Sequence, residues 1–298
     1  MVKSPNAAAT VEPGRLYIVA TPIGNLADVT FRAQSVLAAV DVILCEDTRV
    51  TGILCHALGI DRPKEAFHEH NAAKRVPGLI RRLEAGETFA LVSDRGMPTV
   101  SDPGRELVAA CHQSKIPISV IPGPSALTTA FAGSGYPHPW VFWGFLPSHG
   151  RQRHEALERV EETAMTQILY EAPHRLGLTL ADLSERLGPS RQLTIARELT
   201  KPYEEFWQGT LETARAQEDD RFRGELVLVI APGLNHRKPR RTEPESPQLW
   251  LALEALVYEH VGQGDSESEA IRRVASQFRL PRRALYEKVH RERRDPSK

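Results

Sequence analysis

The 298-residue chain has only three cysteines, Cys45, Cys55 and Cys111, and no two of them form a CxxC pair. This odd count argues against a disulfide framework and favours a reducing compartment, so we expect a cytoplasmic protein. No apolar run approaches the ~20 residues that a membrane helix requires, and we expect no association with a membrane. The first 14 residues lack the apolar core of a signal peptide and are predicted to be a disordered leader.

Several catalytic and binding motifs are also missing. There is no GxGxxG sequence, so dinucleotide binding is not indicated, and without a Walker A sequence or a GxSxG elbow the kinase and hydrolase classes lack support. Cys55-His56 and His68-Glu69-His70 carry metal-ligating side chains, but their spacings match no common zinc pattern. We therefore predict no metal site.

The formal net charge is zero, but the charges are unevenly distributed. Residues 271–298 hold ten Lys/Arg against three Asp/Glu, whereas residues 242–270 hold seven acidic residues and no Lys/Arg. The basic end could contact a polyanion such as RNA. A solvated helix face would give the same composition, so charge alone leaves both interpretations open.

Short apolar runs alternate with helical patterns, which predicts an α/β fold with a parallel-rich open sheet. The predicted strands are 16–20, 42–45, 89–92, 118–121, 141–145, 167–170, 193–196 and 225–230. The last of these is apolar without alternation and should be central, covered on both faces. A Gly- and Pro-rich break at 133–139 predicts two domains, followed by a linker and a basic helical tail. Their predicted bounds are 15–136, 137–236, 237–247 and 248–298.

The tail carries a helix signature of its own. Ser266 and Glu269 have the spacing of a capping box, and an apolar stripe follows at helical spacing. The stripe consists of Ala270, Ile271, Val274, Ala275 and Phe278. Leu280-Pro281 interrupts it, and a second helical pattern with Leu285 and Val289 follows, which together resemble a helix-turn-helix.

Polar residues and Gly/Pro segments follow several of the predicted strands or lie in loops. These segments are EDTR at 46–49, HEHN at 68–71, SDRGMPTVSDPG at 93–104, PGPSA at 122–126, EAPHR at 171–175 and RELTK at 197–201. Each alone could be ordinary surface or a helix cap. In an open α/β sheet, however, such edges converge on one ligand crevice, so together they predict a single site.

The ordered motifs LYIVATPIGNLADVTFRA, CEDTR, HEHN, LVSDRGMPTVSDPG, PGPSA, GFLP, YEAPHR and ARELTKPYEEF resemble those of the small-subunit ribosomal RNA methyltransferase I family. That family belongs to the tetrapyrrole-methylase-like group of S-adenosylmethionine enzymes, and the resemblance covers about residues 15–235. It implies two tetrapyrrole-methylase-like α/β domains, S-adenosylmethionine in the cleft between them, and an obligate homodimer. The implied reaction is 2′-O-methylation of a cytidine ribose in the decoding region of 16S rRNA, with the small ribosomal subunit as partner.

The resemblance also implies roles for individual residues. Cofactor contacts are expected from Pro22, Gly24, Asp94, Met97, Ser101, Ser125, Ala126, Glu171, Ala172, Gly224 and Glu225. Substrate contacts are expected from Glu46, Arg49, His70, His174 and Arg175. Asp47 is the expected general base and Lys201 the expected orienting or oxyanion-stabilising group, with Glu46 and Glu171 as alternative bases.

Two positions depart from the family pattern SDAGTP, since Arg95 replaces Ala and Met97 replaces Thr. Met97 cannot provide a hydroxyl to the cofactor, and Arg95 adds a cation beside a pocket for a sulfonium. Two alternatives therefore stay open. One is the same fold acting on a tetrapyrrole or diphthamide-type acceptor, against which the basic tail and the EDTR and PHR motifs argue. The other is a non-catalytic ribosome-binding protein with a degenerate pocket.

Overall fold

A computed structural model describes residues 11–217, 221–233, 247–278, 280 and 282–291. The chain forms two compact units that divide between Leu234 and Asn235. The predicted linker up to residue 246, residues 1–10 of the predicted leader and residues 292–298 of the predicted tail lie outside the described residues. Within the described ranges, no helix is long and apolar enough to cross a membrane.

The first sheet of the first unit is fully parallel. Its strands are β1 Leu16–Val19, β2 Val42–Cys45, β3 Lys64–Ala66, β4 Phe89–Leu91 and β5 Ile118–Ile121, in the order β3-β2-β4-β1-β5. Its helices are α1 Phe31–Ala39, α2 Thr48–Ala57, α3 Glu69–Glu84 and α4 Arg105–Gln113. The predicted parallel sheet is confirmed. Strand β3 was not predicted, because its sequence KEA has no apolar run.

Helices cover both faces of this sheet. Residues of α1 and α2 pack with Val19 and Ile43 on one face, and residues of α3 and α4 pack with Leu44 and Leu91 on the other. Strands β1, β2 and β4 are therefore buried along their whole length, which is why their sequences are apolar without alternation.

Residues 11–14, which we predicted to belong to a disordered leader, contact this sheet instead. Val11 packs against its core, and the Gly14 amide donates a hydrogen bond to the Gly86 carbonyl at 3.0 Å. The predicted leader is therefore too long by these residues.

The second sheet is mixed. Its strands are β6 Trp140–Phe145, β7 Thr166–Glu171, β8 Gln192–Arg197, β9 Glu205–Thr210 and β10 Leu226–Ile230, in the order β6-β7-β10-β8-β9. Strands β6 and β7 are parallel, and the other neighbours are antiparallel. Strand β10 is central and fully buried, as its unbroken apolar run predicted. Helices α6 Gly150–Glu162, α7 Pro173–Leu187 and α8 Leu211–Arg215 pack on one face.

Helix α5, Ala126–Ser134, covers the other face of the second sheet, although it directly follows the first. Its Leu127 and Ala130 pack against Val227 and Val229 of β10. The fit is close at Gly133, where an added Cβ atom would lie 2.1 Å from a ring carbon of Phe206. Helix α5 therefore precedes the predicted domain boundary at residue 136 but packs on the second sheet.

The described part of the second unit forms helices α9 Pro247–Gly262, α10 Glu267–Gln277 and α11 Arg282–Arg291. One half of the predicted capping box is present, since Glu269 Oε2 accepts from the Ser266 amide at 3.2 Å; the Ser266 hydroxyl donates to the same oxygen at 2.6 Å rather than accepting from the Glu269 amide. Most of the predicted stripe is buried against α9 and α11. Phe278 was wrongly included, because 43% of its surface is exposed beyond the end of α10.

Candidate functional site

Two loops are joined at the carboxyl edge of the first sheet, one following β1 and the other following β4. The Thr21 amide donates to the Gly96 carbonyl at 2.9 Å, and the Gly96 amide donates back to the Thr21 carbonyl at 3.1 Å. The Thr21 hydroxyl also donates to the Ser93 carbonyl at 3.1 Å. Gly96 has a φ of 83°, which glycine adopts without strain. The loops therefore form one connected edge.

A cavity of about 340 Å³ lies between this edge and the second sheet. Its volume is within the range of small-molecule sites. Its walls come from both sheets: Ile23, Arg95, Gly96, Met97, Val100, Ser101, Asp102, Ser125, Ala126, Phe145, Tyr170, Glu171, Ala172, Pro173, Leu199, Gly224, Glu225, Leu226 and Val227. The cavity is where the strand-edge motifs predicted a crevice.

Most of the residues predicted to hold a cofactor line this cavity. They are Met97, Ser101, Ser125, Ala126, Glu171, Ala172, Gly224 and Glu225. Pro22, Gly24 and Asp94 do not line it. Asp94 instead accepts a hydrogen bond from the Asp47 amide at 3.3 Å, so it joins the ends of β4 and β2. The contacts of all these residues with a cofactor stay a prediction.

Gly24 packs against the RELTK loop rather than the cavity. A Cβ atom at Gly24 would lie 2.5 Å from Lys201 Cγ and 3.0 Å from the Leu199 carbonyl oxygen, so only glycine allows this approach. The neighbouring Asn25 amide donates to the Thr200 hydroxyl at 3.0 Å. Thr200 has a φ of 65°, a left-handed conformation that non-glycine residues rarely adopt, as expected near a functional site.

Lys201 belongs to a neutral cluster of four charges beside the cavity. Its ammonium donates to Glu198 Oε1 at 2.8 Å and to Glu225 Oε2 at 3.0 Å. Arg95 forms an ion pair with the other carboxylate oxygen of Glu225. The added cation at Arg95 is therefore balanced within the cluster and does not leave a net positive charge at the cavity.

Asp47, the predicted base, lies at the start of α2 and outside the cavity wall. Its carboxylate accepts from the Arg49 amide at 2.8 Å and pairs with the Arg49 guanidinium at 2.6 Å. These hydrogen bonds lower the pKa of Asp47 to about 2. Arg49, one of the predicted substrate residues, is therefore bound to Asp47 through both its amide and its guanidinium.

The other predicted substrate residues follow different strands and lie outside the cavity wall. Glu46 is exposed after β2, and His70 lies in the first turn of α3, with its ring centroid 6.0 Å from that of His68. His174 is exposed at the start of α7. The neighbouring Arg175 donates to the Leu146 carbonyl at 2.6 Å.

Glu171 is a buried anchor at the end of β7. Its Oε1 accepts from the Ala172 amide at 2.8 Å, and its Oε2 accepts from the Thr179 hydroxyl at 2.5 Å. Arg153 also donates to the Thr179 hydroxyl, at 3.0 Å, and pairs with Asp182. This buried network holds α6 and α7 in place behind the cavity.

Sequence reasoning also missed Asp102, Phe145 and Tyr170, which line the cavity. All three lie inside motifs that were quoted, so the motifs located the wall but not which side chains form it. Burial, together with repulsion from Glu46 and Asp94, raises the pKa of Asp102 to about 6. Burial also raises the pKa of Tyr170, so its hydroxyl stays protonated at neutral pH.

The cavity suits a small ligand that is partly apolar and positively charged. Aromatic and aliphatic side chains form part of its wall, and its carboxylates outnumber its one cationic residue, Arg95. Helix α5 starts at the wall, and its N-cap residue Ser125 makes no side-chain capping bond, which leaves first-turn amides available as donors. In the part of the chain that is described, no group of three or more His, Cys, Asp or Glu could hold a metal ion.

The chain is similar to known proteins in both sequence and fold. The family described as Tetrapyrrole (Corrin/Porphyrin) Methylases matches residues 15–215. A Synechocystis protein named ribosomal RNA small subunit methyltransferase I is 45% identical over 276 residues, 92% of this chain and 96% of the relative. The Bacillus subtilis protein of that name is 41% identical over 281 residues, 93% of this chain and 94% of the relative. Uroporphyrin-III C-methyl transferase from Thermus thermophilus, complexed with S-adenyl homocysteine, shares the fold with a TM-score of 0.53 and 20% identity, over 73% of this chain and 97% of that one.

Proposed function

Since the chain belongs to the ribosomal RNA small subunit methyltransferase I family and has the tetrapyrrole methylase fold, we propose that it transfers a methyl group from S-adenosylmethionine to 16S rRNA. The proposed acceptor is the 2′-hydroxyl of one cytidine ribose in the decoding region. The observation that carries the proposal is the cavity between the two sheets, formed by the motifs that resemble this family.

The residues of the cavity fit S-adenosylmethionine. When bound, this cofactor supplies a methyl group on a positively charged sulfur. The carboxylate of Asp102 gives the wall a negative potential that favours such a cation, since Glu171 is paired with Arg175 and the charges of Arg95 and Glu225 are balanced by their own partners. Phe145 and other apolar side chains provide a surface for the uncharged part of the cofactor.

The main contribution of the protein would be positioning. Methyl transfer to a hydroxyl is an in-line displacement, and holding the reacting atoms close and aligned can supply ~7–11 kcal/mol of the barrier. The hydrogen bonds between the loops after β1 and β4 and the buried anchor at Glu171 support such positioning, because they tie the cavity wall to both sheets. A group that accepts the hydroxyl proton is also needed.

An RNA acceptor agrees with two further features of the chain. The C-terminal 28 residues have a strong excess of Lys and Arg, as expected for contact with phosphates. Polar motifs outside the cavity wall, at Arg49, His174 and Arg175, offer contacts for a substrate larger than the cavity. We extend the proposal to a homodimer that acts on the small ribosomal subunit in the cytoplasm.

The test is transfer of radiolabelled methyl from S-adenosylmethionine to small ribosomal subunits that lack their own methylation. Naked 16S rRNA and a uroporphyrinogen are offered in parallel, and calorimetry measures cofactor binding in the same preparation. We expect labelled 16S rRNA and no labelled tetrapyrrole.

The other outcomes separate the alternatives. Label on the tetrapyrrole alone would support the small-molecule acceptor. A protein that binds no S-adenosylmethionine would instead be the degenerate, ribosome-binding form, and the proposed function would be wrong.

A further inference from the structure

Three carboxylates line the cavity: Asp102, Glu171 and Glu225. A group that accepts a proton during catalysis needs a free lone pair that faces the reacting atoms and a pKa near the working pH. The surroundings of the three differ in this respect.

Glu171 and Glu225 are both occupied by partners. The two oxygens of Glu171 accept from the Ala172 amide and the Thr179 hydroxyl, and only 1% of its side chain is exposed. The two oxygens of Glu225 are held by Arg95 and Lys201. A proton could reach either carboxylate only at the expense of these bonds.

Asp102 is different. Among the described residues, none forms a hydrogen bond or ion pair with its side chain, which is half-buried in the cavity wall. Neighbouring carboxylates oppose its negative charge and no cation compensates it. A buried carboxylate in this state gains from taking up a proton.

The backbone around Asp102 holds it against the second sheet. Thr99 has a φ of 71° and Gly104 a φ of 135°, so the loop has an uncommon backbone conformation on both sides of Asp102. At Gly104 a Cβ atom would lie 2.6 Å from Leu91 Cδ2, and at Gly144 of β6 a Cβ atom would lie 3.6 Å from Ser101 Oγ. The loop therefore packs closely on Leu91 of the first sheet and passes near Gly144 of the edge strand β6.

We infer that Asp102, rather than Asp47, is the catalytic residue that takes the proton from the acceptor hydroxyl. This inference rests on the proposed function. In the step, the hydroxyl oxygen forms a bond to the methyl carbon while the carbon–sulfur bond breaks and its electron pair stays on sulfur. The hydroxyl proton moves to an Asp102 carboxylate oxygen and is later released to water.

The ionisable groups around Asp102 come from both sheets. Glu46 after β2 and Asp94 after β4 raise its pKa, in addition to burial. The same cavity wall also contains Tyr170 of β7 and the partnered Arg95, Glu171 and Glu225. Asp47, by contrast, is held ionised by Arg49 and is a weak base at neutral pH.

The experiment compares full-length wild type, Asp102→Asn and Asp47→Asn, with the exposed Asp61→Asn as matched control. Single-turnover methyl transfer to unmethylated small subunits is followed between pH 5 and 9, and calorimetry gives cofactor affinity. Carboxyl ¹³C NMR of the cofactor-free protein supplies a readout that does not depend on activity.

We expect the wild-type rate to rise with pH through an apparent pKa near 6 and then level off. Asp102→Asn should react about 10²–10⁴-fold more slowly and lose this pH dependence, and its loss of rate should be much larger than its loss of affinity for S-adenosylmethionine. One aspartate signal of the wild type should titrate near pH 6 and be missing from Asp102→Asn.

Three results would overturn the inference. The first is a methyl-transfer rate for Asp102→Asn close to that of Asp61→Asn. The second is a larger loss of rate in Asp47→Asn than in Asp102→Asn. The third is a wild-type NMR spectrum without an aspartate signal that titrates near pH 6. If wild type binds the cofactor but labels no rRNA, the proposed function fails first and the role of Asp102 fails with it.

Discussion

Replacing Asp102 with asparagine should stabilise the protein at neutral and alkaline pH. The pKa of this carboxyl rises from 3.8 in the unfolded chain to about 6 in the fold. Between these values the folded state binds more protons than the unfolded state, so stability falls as the pH rises. Above pH 6 the ionised carboxylate opposes folding, and asparagine removes that charge.

The magnitude follows from the size of the shift. One pKa unit corresponds to ~1.36 kcal/mol, so a shift of roughly two units sets an upper limit of ~3 kcal/mol. Asp102 is only half-buried, and solvent screens part of the repulsion from Glu46 and Asp94. We therefore expect Asp102→Asn to gain about 1–2 kcal/mol in the free energy of unfolding at pH 8, and little at pH 4.

Urea unfolding at pH 8, 6 and 4 measures this gain, with Asp61→Asn as the control for loss of an exposed carboxylate. The difference in the free energy of unfolding between Asp102→Asn and wild type should be largest at pH 8 and should disappear as the pH falls toward 4. An Asp102→Asn variant that is equally stable or less stable at pH 8 would refute the assignment of an uncompensated charge. A substitution that makes the protein more stable and less active is expected at a residue that serves function at the expense of stability.

Three further changes should have distinct effects. Arg153→Met leaves Asp182 without its buried partner and should lower the free energy of unfolding by ~3–5 kcal/mol, measured by urea titration; a loss below that of an exposed arginine would contradict this. Arg95→Ala removes a cation from the cavity wall and should strengthen binding of cationic S-adenosylmethionine relative to neutral S-adenosylhomocysteine by about two- to fivefold in calorimetry, less at high salt; an unchanged ratio would contradict it. Replacing three exposed arginines of the second unit with glutamine should weaken RNA binding and flatten its salt dependence by up to about one unit of slope per lost phosphate contact, and leave cofactor affinity unchanged; an unaltered slope would assign the basic end to another role. The three are Arg272, Arg282 and Arg283.

The fold could be predicted where burial leaves a clear mark on the sequence. Strand β10 is covered on both faces, so every one of its positions is apolar, and its central place followed from that pattern. Strand β9 is half-buried and carries only two large apolar residues in EFWQGT, so its pairing with β8 was not visible. In α9 the apolar residues nearly encircle the helix, so no one-sided stripe marked it.

The location of the site could be predicted from the sequence, but the contacts between its side chains could not. The motifs after the strands identified most of the cavity wall, because the carboxyl ends of neighbouring strands meet at one edge. The ion pair between Arg95 and Glu225 joins residues from different sheets, and no local pattern encodes it. The lack of a hydrogen-bond or ion-pair partner for the Asp102 side chain likewise depends on the folded positions of residues that are distant in sequence.

The most direct test of the proposed reaction is the chemical identity of the product. Small subunits methylated by the wild-type protein are digested, and mass spectrometry determines which nucleoside of the 16S rRNA carries the new methyl group and where it lies. The account predicts 2′-O-methylcytidine at a single position in the decoding region. A methyl group on a base, on another nucleoside or spread over many positions would contradict it.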